Sequence, residues 1–353
     1  MNSESNLNSN IDRYVPLIEE EMMRIINGLN AGLSQAGFAV AQPDAFIAML
    51  NYHLGFANAD GTAAQVYSGK RIRPVLTLLC CEACGGQPES ALPAAAAIEL
   101  LHNFSLIHDD IEDRDELRRG RPTLWKLWGD AQAINSGDAM FTLAHLAMET
   151  ALERGTDATR VLRALRVFDE ASIALTIGQH FDLSFENRVD VTAMEYMAMI
   201  KGKTSALTQA ACAIGAILAG APQARINALA NFGAWLGIAF QLQDDILGIW
   251  GDPAVTGKQD SDLRHHKKTL PVLYAAEKSA QLRELYFRQS MRDADNLALL
   301  RQLIDNNGGR EYTEQAAQDA YEKSISALDS AGIDAHSAVV LRELAESLLR
   351  RST

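Results

Sequence analysis

Two segments of the chain set adjacent aspartates inside otherwise apolar stretches. The first is Asp109-Asp110-Ile111-Glu112-Asp113, followed by Arg118-Arg119. The second is Asp244-Asp245, preceded by Gln241 and followed by a basic loop that runs through Lys258 and Lys267. Carboxylates in an apolar setting are costly unless something positive meets them. On a helix, Asp109 and Asp113 lie one turn apart on one face, with Asp110 turned about 100° away. Two carboxylates at that spacing suit Mg2+, which keeps several waters and takes phosphate oxygens as further ligands. Alone, this pattern reads more readily as a solvated helix end, because Arg114, Asp115 and Glu116 continue the charge. The Arg118-Arg119 pair shifts the balance, since guanidinium forks match the oxygens of a diphosphate.

Other polar groups stand out against apolar surroundings. Lys70, Arg71 and Arg73 crowd three cations ahead of a helical run. The helix dipole disfavours cations at such a start, so an anion site accounts for them better than a plain charged terminus. His102 lies about two turns before Asp109, where a lone His also reads as a satisfied core residue. Lys203-Thr204 interrupts an apolar run, and a buried Lys needs a partner or a ligand. For Lys203, as for Gln179 and Asp182, internal helix–helix hydrogen bonds serve equally well. Cys81-x-x-Cys84 has no second pair and no spaced His pair to complete a zinc site. Cys80, Cys81, Cys84 and Cys212 are therefore expected as small core residues in a reducing, cytoplasmic compartment.

The elements that must position these groups read as helices. Helical periodicity covers 99–113, 135–152, 160–185, 193–220 and 224–250, with stops at Gly85-Gly86, Gly120, Gly220 and Gly251. The longest apolar stretch, 206–221, is short for a membrane span and reads as a buried helix. A net charge of -13 argues against nucleic acid or an anionic membrane surface as the main partner. Across 353 residues no composition shift marks a domain boundary. The expectation is an all-α fold, a single domain of long antiparallel helices over 13–353, with residues 1–12 a disordered leader.

Together these residues resemble the trans-isoprenyl diphosphate synthases, the polyprenyl synthase family, from about Gly69 to Pro271. The resemblance implies an isoprenoid synthase type I fold around a central cavity, a homodimer, and head-to-tail condensation of isopentenyl diphosphate with an allylic diphosphate. Lys70, Arg73, His102 and Arg119 match isopentenyl diphosphate contacts. Arg118, Lys258 and Lys267 match contacts to the allylic diphosphate, whether dimethylallyl, geranyl or farnesyl. Lys203, Thr204 and Gln241 match groups that hold that diphosphate or steady the developing cation. Asp109, Asp110, Asp113, Asp244 and Asp245 match the metal motifs, which imply Mg2+, three ions by family likeness, clamping the allylic diphosphate. Asp262 matches a nearby acid of the pattern. One departure is Gly248, which stands where the family's second motif usually has its last Asp; Asp252, two turns from Asp244, does not simply replace it. Phe104 and Ser105, five and four positions before Asp109, match chain-length positions and favour a twenty-carbon geranylgeranyl product over a fifteen-carbon farnesyl one. A class I terpene cyclase would have no use for the Lys70/Arg73 site. A non-catalytic synthase subunit usually loses metal ligands that are present here.

Overall fold

The computed structural model describes residues 6–35, 43–66, 69–251, 261–287 and 294–349. Helix α1 (Asn6–Gln35) buries Leu7, Tyr14, Ile18, Met22, Ile25 and Ile26. Their three-, four- and seven-residue spacing gives one apolar stripe. This corrects the expected leader: residues 6–12 belong to α1, anchored by Leu7, while residues 1–5 lie outside the described residues.

The helices that follow are α2 (Pro43–Leu54), α3 (Ile72–Ala83), α4 (Pro88–Glu112), α5 (Leu124–Trp128), α6 (Asp130–Glu149), α7 (Ala158–Phe185), α8 (Ala193–Ile200), α9 (Ala206–Leu218) and α10 (Gln223–Trp250). After them come α11 (Ser261–Arg264), α12 (Leu270–Lys278), α13 (Ala280–Phe287), α14 (Ala294–Asn306), α15 (Gly309–Ser330) and α16 (Ala335–Leu349). Among the described residues one small hairpin, β1 (Leu117–Arg118) and β2 (Arg121–Pro122), makes the sheet content. Its two-residue turn, Arg119-Gly120, holds both residues at positive φ (53° and 77°). That is the turn class whose twist matches paired strands.

The all-α expectation holds, and the fold divides into two compact units. The first comprises residues 1–168 and 213–221; the second comprises 169–212 and 222–353. Two of the crossings fall inside α7 and α9, where no linker composition marks them.

In the first unit α4 packs against α3 and α6. Its Ala94–Ala97 run is fully buried, so small side chains let the neighbours approach closely. By length and composition α4 could cross a membrane, but 72% of its most apolar window is buried inside the fold. In the second unit α10 packs along α15, and Ile238, Ala239 and Leu242 share a core cluster with Ala317 and Ala320. Three of the cysteines are core residues, Cys80, Cys81 and Cys212, whereas Cys84 is only half-buried; all four are unbridged. Burial, with Cys84 nearby, pushes the Cys81 thiol up to about 12.

Candidate functional site

In the first unit the residues before α3 sort by burial. Arg71 sits in the left-handed region (φ 48°) at the helix start. Its buried side chain donates to Glu99 Oε1 at 2.6 Å and to the Leu54 carbonyl at 3.0 Å. Arg71 is therefore committed to the fold. Lys70 is exposed, and Arg73 Nη1 donates to His102 Nε2 at 3.3 Å. Burial first, then the charge of Arg73 and Arg119, holds His102 well below the usual histidine range, so its imidazole stays neutral. A side chain at Gly69 would begin 2.9 Å from Arg119 Nη2, which places the Arg119 guanidinium against the Gly69 backbone. Sequence-distant Gly69, Arg73, His102 and Arg119 are thus gathered in one unit around groups that favour an anion.

The first aspartate segment closes α4. Asp113 is its C-cap, its N–H donating to the Asp109 carbonyl. Carboxylates at a helix C-terminus oppose the dipole, by about 0.3–1 kcal/mol each, and a cation offsets this. Asp109 is half-buried and Asp113 exposed. Asp110 points inward, buried, and its Oδ1 takes both Nε and Nη2 of Arg118 at 2.7 Å. Burial raises the Asp110 pKa while Arg118 pulls it back. Asp110 thus aims Arg118. The flanking charges that made a solvated helix end plausible are paired elsewhere: Arg114 with Asp130, Glu116 with Lys126.

Beneath Asp109 on α4, Ser105 Oγ donates back to the His102 carbonyl at 2.8 Å, which satisfies its hydroxyl within the helix. The Phe104 ring meets His108 (4.8 Å between centroids) and Phe141 (5.0 Å); Phe141 meets His145, which meets Phe168. His53 on α2 carries no motif in the sequence. It lines a cleft with Tyr52, Asp110, Arg118 and Arg119. Its buried Nε2 has no hydrogen-bond partner. Burial, then Arg118 and Arg119, pushes it down to about 3. No spacing signal marks His53, because its neighbours come from distant parts of the sequence.

In the second unit the Lys203-Thr204 interruption is a π-helical turn, Lys201–Ser205, between α8 and α9. Such turns re-aim side chains and recur at functional sites. Lys203 Nζ donates to Asp182 of α7. Thr204 Oγ1 donates to Gln241 Oε1 at 2.8 Å, and Gln241 Nε2 donates to Asp245 Oδ1 at 3.1 Å. That chain fixes which way the Gln241 amide faces and leaves the Thr204 oxygen lone pairs for another positive group.

The second aspartate pair lies in the last two turns of α10, which continues to Trp250. Asp244 is half-buried. Asp245 is buried and accepts from the Tyr196 hydroxyl as well as from Gln241. Burial raises its pKa to about 7 against the pull of Tyr196. Like Asp110, Asp245 is a buried carboxylate held by side-chain hydrogen bonds. Tyr196 carried no motif and read as part of an apolar helix. Asp262 of α11 brings its carboxylate against Gly248 of α10. Lys267 is exposed after α11. Lys258 lies outside the described residues.

Among the described residues no three His, Cys, Asp or Glu side chains form a ready metal cage. Asp109 with Asp113, and Asp244 by itself, fit Mg2+ drawing on few carboxylates, waters and substrate oxygens.

A family model described as polyprenyl synthetase matches residues 61–304. The chain is 43% identical over 312 residues to a (2E,6E)-farnesyl diphosphate synthase of Mycobacterium bovis, spanning 86% of this chain and 85% of that one. It is 42% identical over 288 residues to a geranylgeranyl diphosphate synthase of Mycobacterium tuberculosis, spanning 80% and 81%. The crystal structure of a polyprenyl synthetase from Streptomyces coelicolor A3(2) superposes with a TM-score of 0.86 at 36% identity, over 98% of this chain and 100% of that one.

Proposed function

The chain belongs to the polyprenyl synthetase family, and from that premise we propose how it works and what it makes. It is a prenyltransferase with the all-α fold of the type I isoprenoid synthases. It condenses isopentenyl diphosphate head to tail with an allylic diphosphate to give a short-chain trans-prenyl diphosphate.

The arrangement that supports the residue roles best is Arg73, neutral His102 and Arg119 at the Gly69 turn. Isopentenyl diphosphate is assigned to this cluster, with exposed Lys70 as a fourth contact. A neutral imidazole beside fixed guanidiniums orients phosphate oxygens without adding a proton of its own. Arg118, aimed by Asp110, is assigned to the allylic diphosphate, as are Lys203, Lys258 and Lys267. Asp109 and Asp113 in the first unit, and Asp244 in the second, would hold Mg2+, three ions by family likeness, which would supply Lewis acidity to a leaving diphosphate. Fixed cationic side chains add charge where negative charge grows. Thr204 and Gln241 turn oxygen dipoles toward the allylic cation, with Asp245 and Tyr196 locking their orientation. The isopentenyl double bond attacks the cation, and the proton lost afterwards passes to the released diphosphate.

The product is assigned twenty carbons, with fifteen the alternative. Small Ser105 leaves room beside α4, and Phe104 forms the floor. The chain acts as a homodimer in the cytoplasm; the unbridged cysteines are consistent with that compartment. Chromatography of products from dimethylallyl, geranyl and farnesyl diphosphates, each with isopentenyl diphosphate and Mg2+, tests the reading. Extension to twenty carbons and no further is expected. A fifteen-carbon endpoint would correct the length. No condensation, with a cyclised hydrocarbon from geranylgeranyl diphosphate alone, would replace the synthase by a cyclase.

A further inference from the structure

In the second unit two adjacent lysines follow α11 and do different work. Lys268 Nζ donates to the Glu186 carbonyl at 2.7 Å and lies 5.6 Å from the centre of the Phe287 ring, so it is committed to the fold. Lys267 is exposed, and it is the lysine assigned to the allylic diphosphate. A point charge on a flexible four-carbon stem reaches only the places its main chain points it toward. That main chain is gripped by Tyr286 of α13. The Tyr286 hydroxyl donates to the Lys267 carbonyl at 2.8 Å and shares its proton with the Asp262 carbonyl at 3.2 Å. In return His266 Nδ1 donates to the Tyr286 carbonyl at 2.9 Å; a carbonyl only accepts, so the proton sits on Nδ1. We propose that Tyr286 and His266 are positioning residues for the condensation: they clamp the main chain around Lys267 and so aim its ammonium at the allylic diphosphate.

Neither side chain is explained by core packing alone. Tyr286 is fully buried in an apolar cluster with Leu263 and Val272, where a phenylalanine ring would pack as well. The two carbonyls that its hydroxyl meets already accept main-chain N–H groups, Asp262 from Lys267 and Lys267 from Thr269, each at 3.0 Å. The hydroxyl is therefore not needed to satisfy them. What it adds is a fixed point between α13 and the turn that carries Lys267. Burial, then the charge of Asp262, holds the Tyr286 phenol well above its usual range, so it remains a donor at neutral pH. His266 stands in the left-handed region (φ 51°), which a residue with a side chain occupies at a cost. Glycine takes that conformation without strain. The imidazole is accounted for by its bond to Tyr286 and by its place against the Tyr286 ring, 5.0 Å between centroids. His266 thus turns the chain one residue before Lys267 and ties the turn to the same tyrosine.

This inference rests on the synthase reading and on Lys267 as a contact of the allylic substrate. Steady-state condensation by the full chain is measured with geranyl diphosphate and isopentenyl diphosphate, each varied in turn, and an unfolding midpoint is recorded for every variant. Tyr286→Phe should lower kcat/KM for geranyl diphosphate about fivefold, the weight of one neutral hydrogen bond, and leave the KM for isopentenyl diphosphate at the parent value. His266→Gly relieves the backbone yet loses the donor, so it should lower the same kcat/KM. His266→Asn tolerates the left-handed region and offers an amide N–H in place of Nδ1, so it should recover most of that loss. In Lys267→Ala, adding Tyr286→Phe should cost nothing further, because the group being aimed is gone. A purely structural role would lower the unfolding midpoint of Tyr286→Phe with kcat/KM unchanged, or would multiply the two losses in the double variant; either result overturns the proposal. Parent kinetics in Lys267→Ala would overturn it too, since nothing would remain to be aimed. His266→Asn no more active than His266→Gly would remove His266 from the clamp. A parent chain that condenses none of dimethylallyl, geranyl or farnesyl diphosphate with isopentenyl diphosphate would sink the functional reading, and the clamp with it.

Discussion

Arg71 and Arg73 stand two residues apart and do different work. Arg71 is buried and held by Glu99 and the Leu54 carbonyl, so truncating it strands a buried carboxylate. Breaking such a pair costs about 3–5 kcal/mol. Arg71→Met should lower the urea midpoint strongly. Arg73→Ala should lower the midpoint less and raise the KM for isopentenyl diphosphate, because Arg73 is only part-buried and donates to the neutral His102. Equal losses of stability in the two variants would contradict the division. His53 gives a pH signature. Its native pKa is pushed from 6.5 down to about 3 by burial, then by Arg118, Arg119 and Arg71, against a hydrogen bond with Asn103. Between those values the unfolded chain binds a proton that the native chain refuses. The stability from keeping His53 neutral is complete above pH 6.5 and declines as pH falls toward 3. The slope is at most about 1.4 kcal/mol per pH unit for one group. His53→Gln should flatten that acid limb in urea midpoints measured at neutral and mildly acid pH; an unaltered slope would place the titration elsewhere.

Elements set the site's precision. The π turn at Lys201–Ser205 touches α7 where Gly178 has no side chain: a Cβ there would lie 2.1 Å from the Lys203 nitrogen. Gly178→Ala must push the turn outward, at about 1–3 kcal/mol for overpacking. The shift moves Lys203 away from Asp182 and Thr204 away from Gln241. A fall in kcat with retained helical circular dichroism is expected; full activity would show that the turn tolerates the shift. The aromatic row from α4 to α7 makes a second element-scale prediction. Phe104 lies about 7.5 Å along α4 from Asp109, backed by Phe141, His145 and Phe168. Phe104→Ala should lengthen the product. Phe141→Ala, with the Phe104 ring intact, should lengthen it less, by letting that ring lean back. Identical product chromatograms would remove the row as the floor. The helices holding these residues were legible in the sequence, because apolar periodicity and Gly stops are local signals. The π turn was visible as an interruption at Lys203-Thr204, but its geometry was not. The extra residue is accommodated by α7, which lies elsewhere in the sequence.

At the scale of the molecule, the motifs were readable and their orientation was not. Local spacing marks Asp109, Asp113 and Asp244 as candidates, but it cannot tell that Asp110 and Asp245 face inward to Arg118 and Tyr196. Nor could it tell that Asp262 meets Gly248, since that contact depends on how α11 packs on α10. The division into two compact units was equally silent, because two crossings run through α7 and α9. Ligand binding tests the molecule as a whole. Any ligand that binds the native chain alone stabilises it by RT ln(1 + [L]/Kd), about 2.7 kcal/mol at a hundredfold excess over Kd. For a chain of this length that corresponds to a rise of about 4 °C in Tm. Pyrophosphate with Mg2+ should produce the shift, whereas pyrophosphate with a chelator should not, since the carboxylates repel a bare diphosphate. Scanning calorimetry also reports on cooperativity. If the two units unfold together, one transition moves as a whole. If they unfold separately, the unit that holds the ligand moves and the other stays. Asp109→Ala and Asp244→Ala then name the unit, each in its own half of the chain. A shift of full size in both variants would show that neither carboxylate takes part in binding.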